Sequence, residues 1–226
     1  MSNDKNQEII AVDGEAASGK SACDIVARKL GFELLQTGVI YRGLTYMIKY
    51  HGVDICSQPV IEQFVEFNAK RLTFRGQYLC FDGQPLCDSE IQTPEMDHLT
   101  PKIAKMPRIR QLVVPLQRQY AGGTRLVAEG RDIGSVIFPN AKLKVYLRAE
   151  LEVRAGRRFH EYRSKNIVNK TFDEVMKELE DRDREDKNRL DSPLICVPGA
   201  IVIDTTRINK ETVADLILDY WMKKSL

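Results

Sequence analysis

Residues 14–21 read Gly14-Glu15-Ala16-Ala17-Ser18-Gly19-Lys20-Ser21, a complete G-x-x-x-x-G-K-S pattern. Its flanks decide what it means. The apolar run Ile9-Ile10-Ala11-Val12-Asp13 precedes it. Residues 22–30 follow, with Ile25, Val26 and Leu30 at helical spacing and Gly31 as a stop. Strand, loop and helix in that order are the setting in which this pattern cradles phosphate. Glycine lets backbone N–H groups turn inward around phosphate oxygens, and the helix N-terminus adds positive potential. Gly14, Glu15, Ala16, Ala17, Ser18, Gly19, Lys20, Ser21 and Ala22 are therefore expected to hold a nucleoside triphosphate. Lys20 would reach the outer phosphates, and the Ser21 hydroxyl would touch Mg²⁺. A glycine turn that merely feeds a helix is the competing reading, and the flanking context argues against it.

Outward from this unit, strands and helices alternate. Short apolar runs at 32–35, 126–129, 143–147 and 200–204 read as strands. Helical patterns open at Thr37-Gly38 and run over about 150–161, 171–189 and 210–222. Alternation of this kind predicts an α/β fold, a parallel sheet covered by helices. Two stretches break it. Residues 71–74 and 78–81 around Arg75-Gly76-Gln77 read as a hairpin, followed by a loop rich in Gln, Pro and Asp. They suggest a small insertion lobe over about 63–100. Residues 153–191 are dense in charges of both signs and poor in large apolar residues, so they read as helical, exposed and mobile.

Composition narrows the function classes. The chain has 226 residues, and 43% are hydrophobic, enough for one substantial core and against global disorder. Basic residues number 34 and acidic residues 32, a net charge of only +2. That balance, with no aromatics interleaved on a basic face, argues against a nucleic-acid binder. The five cysteines are scattered and form no C-x-x-C pair, so they read as reduced thiols of a cytoplasmic protein rather than a zinc or redox motif. The polar start, Met1 to Glu8, has no apolar signal core, and no apolar run reaches membrane-spanning length.

A second anion beside the loop needs more cations than Lys20. Arg42, Arg108, Arg110, Arg131, Arg157, Arg158, Arg182 and Arg189 stand at expected loop or helix-end positions. Arginine's planar fork pairs phosphate oxygens two at a time, which suits an acceptor that is itself a phosphate ester. Arg182, Asp186 and Arg189 are spaced four and then three apart, on one helix face. Asp186 can orient both guanidiniums there or hold a ribose hydroxyl. The alternative is a solvated face laced with weak ion pairs. Glu129-Gly130-Arg131-Asp132 follows an expected strand end, the place where ligands sit in open parallel sheets. His51, His98 and His160 fall in different elements with no nucleophile beside them. An acceptor phosphate, with its second pKa near ~6, needs no general base.

Taken in order, several segments resemble those of the bacterial cytidylate kinases. They are Gly14–Ser21, residues 35–42, Pro107-Arg108-Ile109-Arg110, residues 129–134, and Arg182-Asp183 with Asp186 and Arg189. The resemblance covers nearly the whole chain. It implies a single P-loop nucleoside monophosphate kinase domain over 1–226, with core 8–62, 101–152 and 192–226, an insertion lobe at about 63–100 and a lid at about 153–191. It further implies phosphoryl transfer from ATP·Mg²⁺ to CMP or dCMP by a cytoplasmic monomer acting on small molecules alone, with neither nucleic acid nor membrane as partner. Lys20, Arg131, Arg157, Arg158 and Arg189 would be catalytic. Thr37, Tyr41, Arg42, Arg110, Gly130, Arg131, Asp132, Arg182, Asp186 and Arg189 would bind CMP, with Arg42, Arg131 and Arg189 on its phosphate, Arg110 and Asp132 at the cytosine edge, and Arg182 and Asp186 on the sugar. Ser21 would be the metal ligand, and the sequence leaves open whether Asp13, Asp132 or neither assists it through water. Gln36 stands where relatives usually carry Asp, and Pro101 where some carry a cytosine-contacting Ser; Thr100 is the nearest hydroxyl. The rival readings are a P-loop kinase for UMP or another small acceptor, and a non-catalytic ATP-binding regulator.

Overall fold

A computed structural model describes residues 8–75, 78–121, 125–166 and 170–225. The chain divides into two compact units, Met1–Leu34 with Gly123–Leu226, and Leu35–Gly122.

In the first unit the apolar run ahead of the glycine loop is strand β1 (Ile9–Gly14), buried along its whole length. A strand buried on both faces belongs in mid-sheet, and that is where it lies. With β2 (Glu33–Gln36), β6 (Leu126–Gly130), β7 (Leu143–Arg148) and β8 (Ile201–Asp204), the strand order is β2-β6-β1-β7-β8. β1 runs parallel to β6, with Asp13 opposite Gly130, and parallel to β7, with Gly14 opposite Leu147. β7 and β8 are parallel too. The register brings the glycine loop and the turn after β6 out at the same, carboxyl end of the sheet. Helix α1 (Ala22–Leu30) ends at Gly31 in the left-handed conformation, as a glycine stop predicts. Its buried face, Val26 and Ala27, joins Val12, Val127, Val145, Leu147, Ile217 and Trp221 in the main core. The last two come from the C-terminal helix, Lys210–Ser225.

The segment 153–191 forms two packed helices, Leu151–Ser164 and Phe172–Asn188. The second starts in a reciprocal capping box of Thr171 and Glu174. The expectation that this segment is simply exposed is corrected. Ala155, Tyr162, Val175 and Leu179 are buried in a small core of their own, together with Ala16 of the glycine loop. Arg154 and Asp183 of the same two helices are buried as well.

The second unit holds helices α2 (Thr37–Tyr50) and α3 (Gln58–Asn68), then the antiparallel strands β3 (Leu72–Arg75), β4 (Tyr78–Phe81) and β5 (Gln84–Pro85), then helices α4 (Asp88–Ile91), α5 (Pro94–Ala104) and α6 (Pro107–Tyr120). The two helices of the charged segment are accordingly α7 and α8, and the C-terminal one is α9. The hairpin is present, and Gly76 and Gln77 of its turn lie outside the described residues. The expected insertion lobe falls wholly within this unit, which begins earlier and ends later. What the sequence reads as a Gln-, Pro- and Asp-rich loop contains α4 and α5. Proline misleads here. Pro94 occupies the first turn of α5 behind a Thr93 cap, where its missing N–H costs nothing. Pro101 sits further in, and Met96, Leu99 and Ile103 still bury one helical face. Gly43 of α2 marks a close approach, since a Cβ there would lie 2.3 Å from Leu79 Cδ2 of β4.

Candidate active site

The loop between β1 and α1 is held in shape by its surroundings. A Cβ on Gly14 would lie 2.3 Å from the Leu147 carbonyl oxygen and 2.8 Å from Ser18 Oγ, so only glycine fits beside β7. Gly19 takes φ 98°, open to glycine alone at no strain. Ala17 stands at φ 57°, a left-handed position that costs an L-residue about 1–2 kcal/mol. Such strain persists only where neighbours over-determine it, and here they do. The carbonyls of three successive residues are turned outward onto donors. Arg154 Nη1 reaches the Ala16 oxygen at 3.2 Å, Arg157 Nη1 the Ala17 oxygen at 3.4 Å, and Thr205 Oγ1 the Ser18 oxygen at 2.9 Å. Asp183 accepts from the Ala16 amide at 3.2 Å. Glu15 pairs with Lys187 of α8 at 2.6 Å.

Lys20 donates to the carbonyls of Gly14 at 2.8 Å and Glu15 at 2.6 Å, which lays its ammonium across the mouth of the loop. Burial, and after it the charge of Arg131, pull its pKa down to about 7, while Glu129 pulls the other way. A polyphosphate is the partner that would restore the full charge. Ser21 is the N-cap of α1, and its exposed side chain makes no capping bond. Among the described residues no group of three carboxylate, thiol or imidazole side chains is placed to hold a metal. A hydroxyl at the end of a phosphate cradle suits Mg²⁺, which takes one or two protein oxygens and completes its shell with phosphate and water.

The turn after β6 supplies the second group of charges. Arg131 Nε donates to Asp186 Oδ2 at 2.9 Å, and Arg189 Nη1 reaches Asp186 Oδ1 at 3.2 Å. One carboxylate of α8 thus gathers two guanidiniums from elements far apart in sequence. Burial raises that carboxyl, but Arg131, Arg182 and Arg189 outweigh it and hold it below the usual range. Arg182, Asp186 and Arg189 are all half-buried, whereas Arg184, Glu185, Lys187 and Asn188 are exposed. The face is sheltered, unlike a solvated charge stripe. Asp132 is buried beside Arg131. Asp13 accepts from the Ile133 and Gly134 amides at 2.8 Å each, lashing the end of β1 to this turn. Burial pushes it up to about 6 against those two bonds. Arg158 on α7 pairs with Glu161 at 3.3 Å.

The other expected residues lie in the second unit. Thr37, at the first turn of α2, and Tyr41 are buried. Arg42 pairs with Asp97 and donates to the Ile91 carbonyl at 3.1 Å. Arg110 of α6 is 2% exposed, donates to the Ala104 carbonyl at 3.0 Å and lies 5.5 Å from the centre of the Tyr41 ring. Arg108 is spent on Glu66 at 2.7 Å. Pro101 is inside α5, and Thr100 Oγ1, buried beside it, has no hydrogen-bond partner among the described residues. Arg154 and Thr205 escaped the sequence reading, and Asp183 entered it only beside Arg182, with no role. Asp183 alone left a trace: it follows Leu179 by four on the buried stripe of α8.

Residues 10–223 match the protein family described as Cytidylate kinase. The cytidylate kinase of Fervidobacterium nodosum is 37% identical over 211 residues, which cover 93% of this chain and 94% of that protein. That of Vibrio cholerae is 35% identical over 215 residues, covering 94% and 95%. Among solved structures, an uncharacterized protein from Eubacterium ventriosum superposes with a TM-score of 0.52 at 13% identity, covering 96% of this chain and 99% of that one. This last likeness concerns the fold alone. The glycine loop, the parallel sheet that carries it and the match along nearly the whole sequence place the chain in the cytidylate kinase family.

Proposed function

We propose that this chain transfers the γ-phosphoryl group of ATP to CMP or dCMP, giving ADP and CDP or dCDP. The observation that carries the reading is the presence, within one unit, of a glycine-bent loop with Lys20 on its Gly14 and Glu15 carbonyls and of the Arg131–Asp186–Arg189 cluster. Gly14 to Ala22 hold the donor triphosphate. Mg²⁺ bound beside Ser21 would neutralise the outer phosphate oxygens. Arg131 and Arg189 take the acceptor phosphate, and Arg182 and Asp186 its sugar. Thr37, Tyr41, Arg42, Arg110, Gly130 and Asp132 are assigned to CMP as well, Arg110 and Asp132 to its base. Arg157 and Arg158 are assigned the neutralisation of the transferring group, with Arg157 already at the Ala17 carbonyl. The acceptor phosphate is largely ionised at neutral pH, so the protein's work is placement, neutralisation of charge and exclusion of water. The scattered cysteines and modest net charge fit a cytoplasmic enzyme of pyrimidine nucleotide metabolism that acts as a monomer.

A coupled assay of ADP release with ATP·Mg²⁺ against CMP, dCMP, UMP, AMP and GMP tests this. Turnover is expected with CMP and dCMP, and at least ~10-fold less with each of the others, because groups placed to hydrogen-bond one base edge are left unpaired by another base. UMP as the best substrate would transfer the base assignment. Absence of turnover with every monophosphate would end the reading.

A further inference from the structure

Arg154 and Asp183 have no part in the reaction just described, yet they are among the most buried charges of the chain, at 4% and 6% exposure. They pair with each other across α7 and α8. Their remaining bonds go to the loop and to the end of β7. Arg154 Nη1 donates to the Ala16 carbonyl at 3.2 Å, and Arg154 Nε to the Ala149 carbonyl at 2.9 Å. Asp183 Oδ1 accepts from the Ala16 amide at 3.2 Å. Glu15, one residue earlier, lies 3.6 Å from Arg154 Nε.

The amide and the carbonyl of Ala16 belong to two successive peptide planes, and the pair grips both. The second of these planes leads directly into Ala17, at φ 57°. The plane on the far side of Ala17 is gripped by Arg157 through the Ala17 carbonyl. An alanine left to itself relaxes out of the left-handed region. With both adjoining planes tied, it cannot.

We propose that Arg154 and Asp183 are positioning residues of the phosphate loop: by fixing the Ala16 peptide groups they hold Ala17 left-handed, so that α7 and α8 set the loop's affinity for the polyphosphate of the donor nucleotide. This rests on the reading that the loop holds ATP.

The test is titration of the full chain with ADP by calorimetry, beside thermal melts. In Arg154→Met/Asp183→Leu both charges go together, so neither is left buried alone and the fold is expected to survive. ADP affinity is expected to fall about 10-fold, a change of ~1.4 kcal/mol in binding. Adding Ala17→Gly to that variant is expected to recover roughly 3- to 5-fold, because glycine enters the left-handed region without strain. A merely structural role predicts no such rescue. A folded double variant with wild-type ADP affinity, or one that Ala17→Gly does not improve, overturns the proposal. Should the double variant fail to fold, Arg154→Lys keeps a charge opposite Asp183 but lacks the fork that spans the Ala149 and Ala16 carbonyls. Loss of ADP affinity with an unchanged melt then supports the proposal, and unchanged affinity overturns it. If the wild-type chain binds no ADP, the reading of the loop fails; tight wild-type binding that the variants do not alter sinks the positioning role alone.

Discussion

Lys20→Met is expected to lower turnover with CMP by about 100- to 1000-fold, roughly 3–4 kcal/mol of lost transition-state stabilisation, the range found when one preorganised donor is removed from a site of developing charge. The geometry makes the loss specific. Lys20 rests on the Gly14 and Glu15 carbonyls, already inside the loop, so its ammonium needs little reorganisation to meet a phosphate. Methionine keeps the length of the stem and removes the charge. The depressed pKa of about 7 supplies a second signature. At pH 7.5 a substantial fraction of this lysine is neutral, and an arriving polyphosphate favours the charged form. ADP binding by the wild-type chain should therefore take up a proton, visible as a binding heat that changes with the ionisation enthalpy of the buffer. The uptake should vanish in Lys20→Met. Wild-type kinetics in the variant would remove Lys20 from the reaction.

Asp186→Ala is expected to have the next largest effect, and on the acceptor side. It deletes the anion that Arg131 and Arg189 share, with Arg131 only 16% and Arg189 9% exposed in their side chains. Breaking a buried pair by removing one partner costs ~3–5 kcal/mol, and the freed guanidiniums lose their common anchor. KM for CMP should rise at least ~10-fold, the worth of one good charged contact, while KM for ATP moves far less. Were ATP the only substrate affected, the cluster would have to be reassigned to the donor. The stability change carries its own pH signature. The folded carboxyl lies below its unfolded value near ~4, so its contribution is complete above that value and disappears as pH falls through the lower, folded one. The gap in stability between wild type and Asp186→Ala should be full near pH 7 and shrink below about pH 4. An equal gap at both ends would mean that the cluster's charges are not what stabilises it.

How far the sequence announced these sites follows the reach of each interaction. The run from Ile9 to Gly31 could be read outright, because strand, glycine bend and helix are local and each is specified by its own residues. Helical arithmetic also placed Arg182, Asp186 and Arg189 on one face of α8. That Asp186 would take Arg131 from the turn after β6 was out of reach, since the two are 55 residues apart and meet only in the folded chain. The grip of Arg154 and Asp183 on Ala16 was hidden for the same reason, and because a charge-rich segment reads as solvated. Helices α5 and α6 were obscured by Pro94, Pro101, Pro107 and Pro115, which sit at or near first turns or are tolerated further along where apolar faces still pack.

The backbone of β7 stands directly behind Gly14, leaving no slack at the point where chain leaves sheet for bend. That backstop makes Gly14 a fixed pivot. Any adjustment to an incoming nucleotide has to be absorbed over residues 15–19, most of which are moored from outside. A socket already frozen in form surrenders little freedom on being filled. Its selectivity then comes from shape that exists beforehand, and widening it by even a methyl group at residue 14 would unseat a central strand rather than enlarge a pocket.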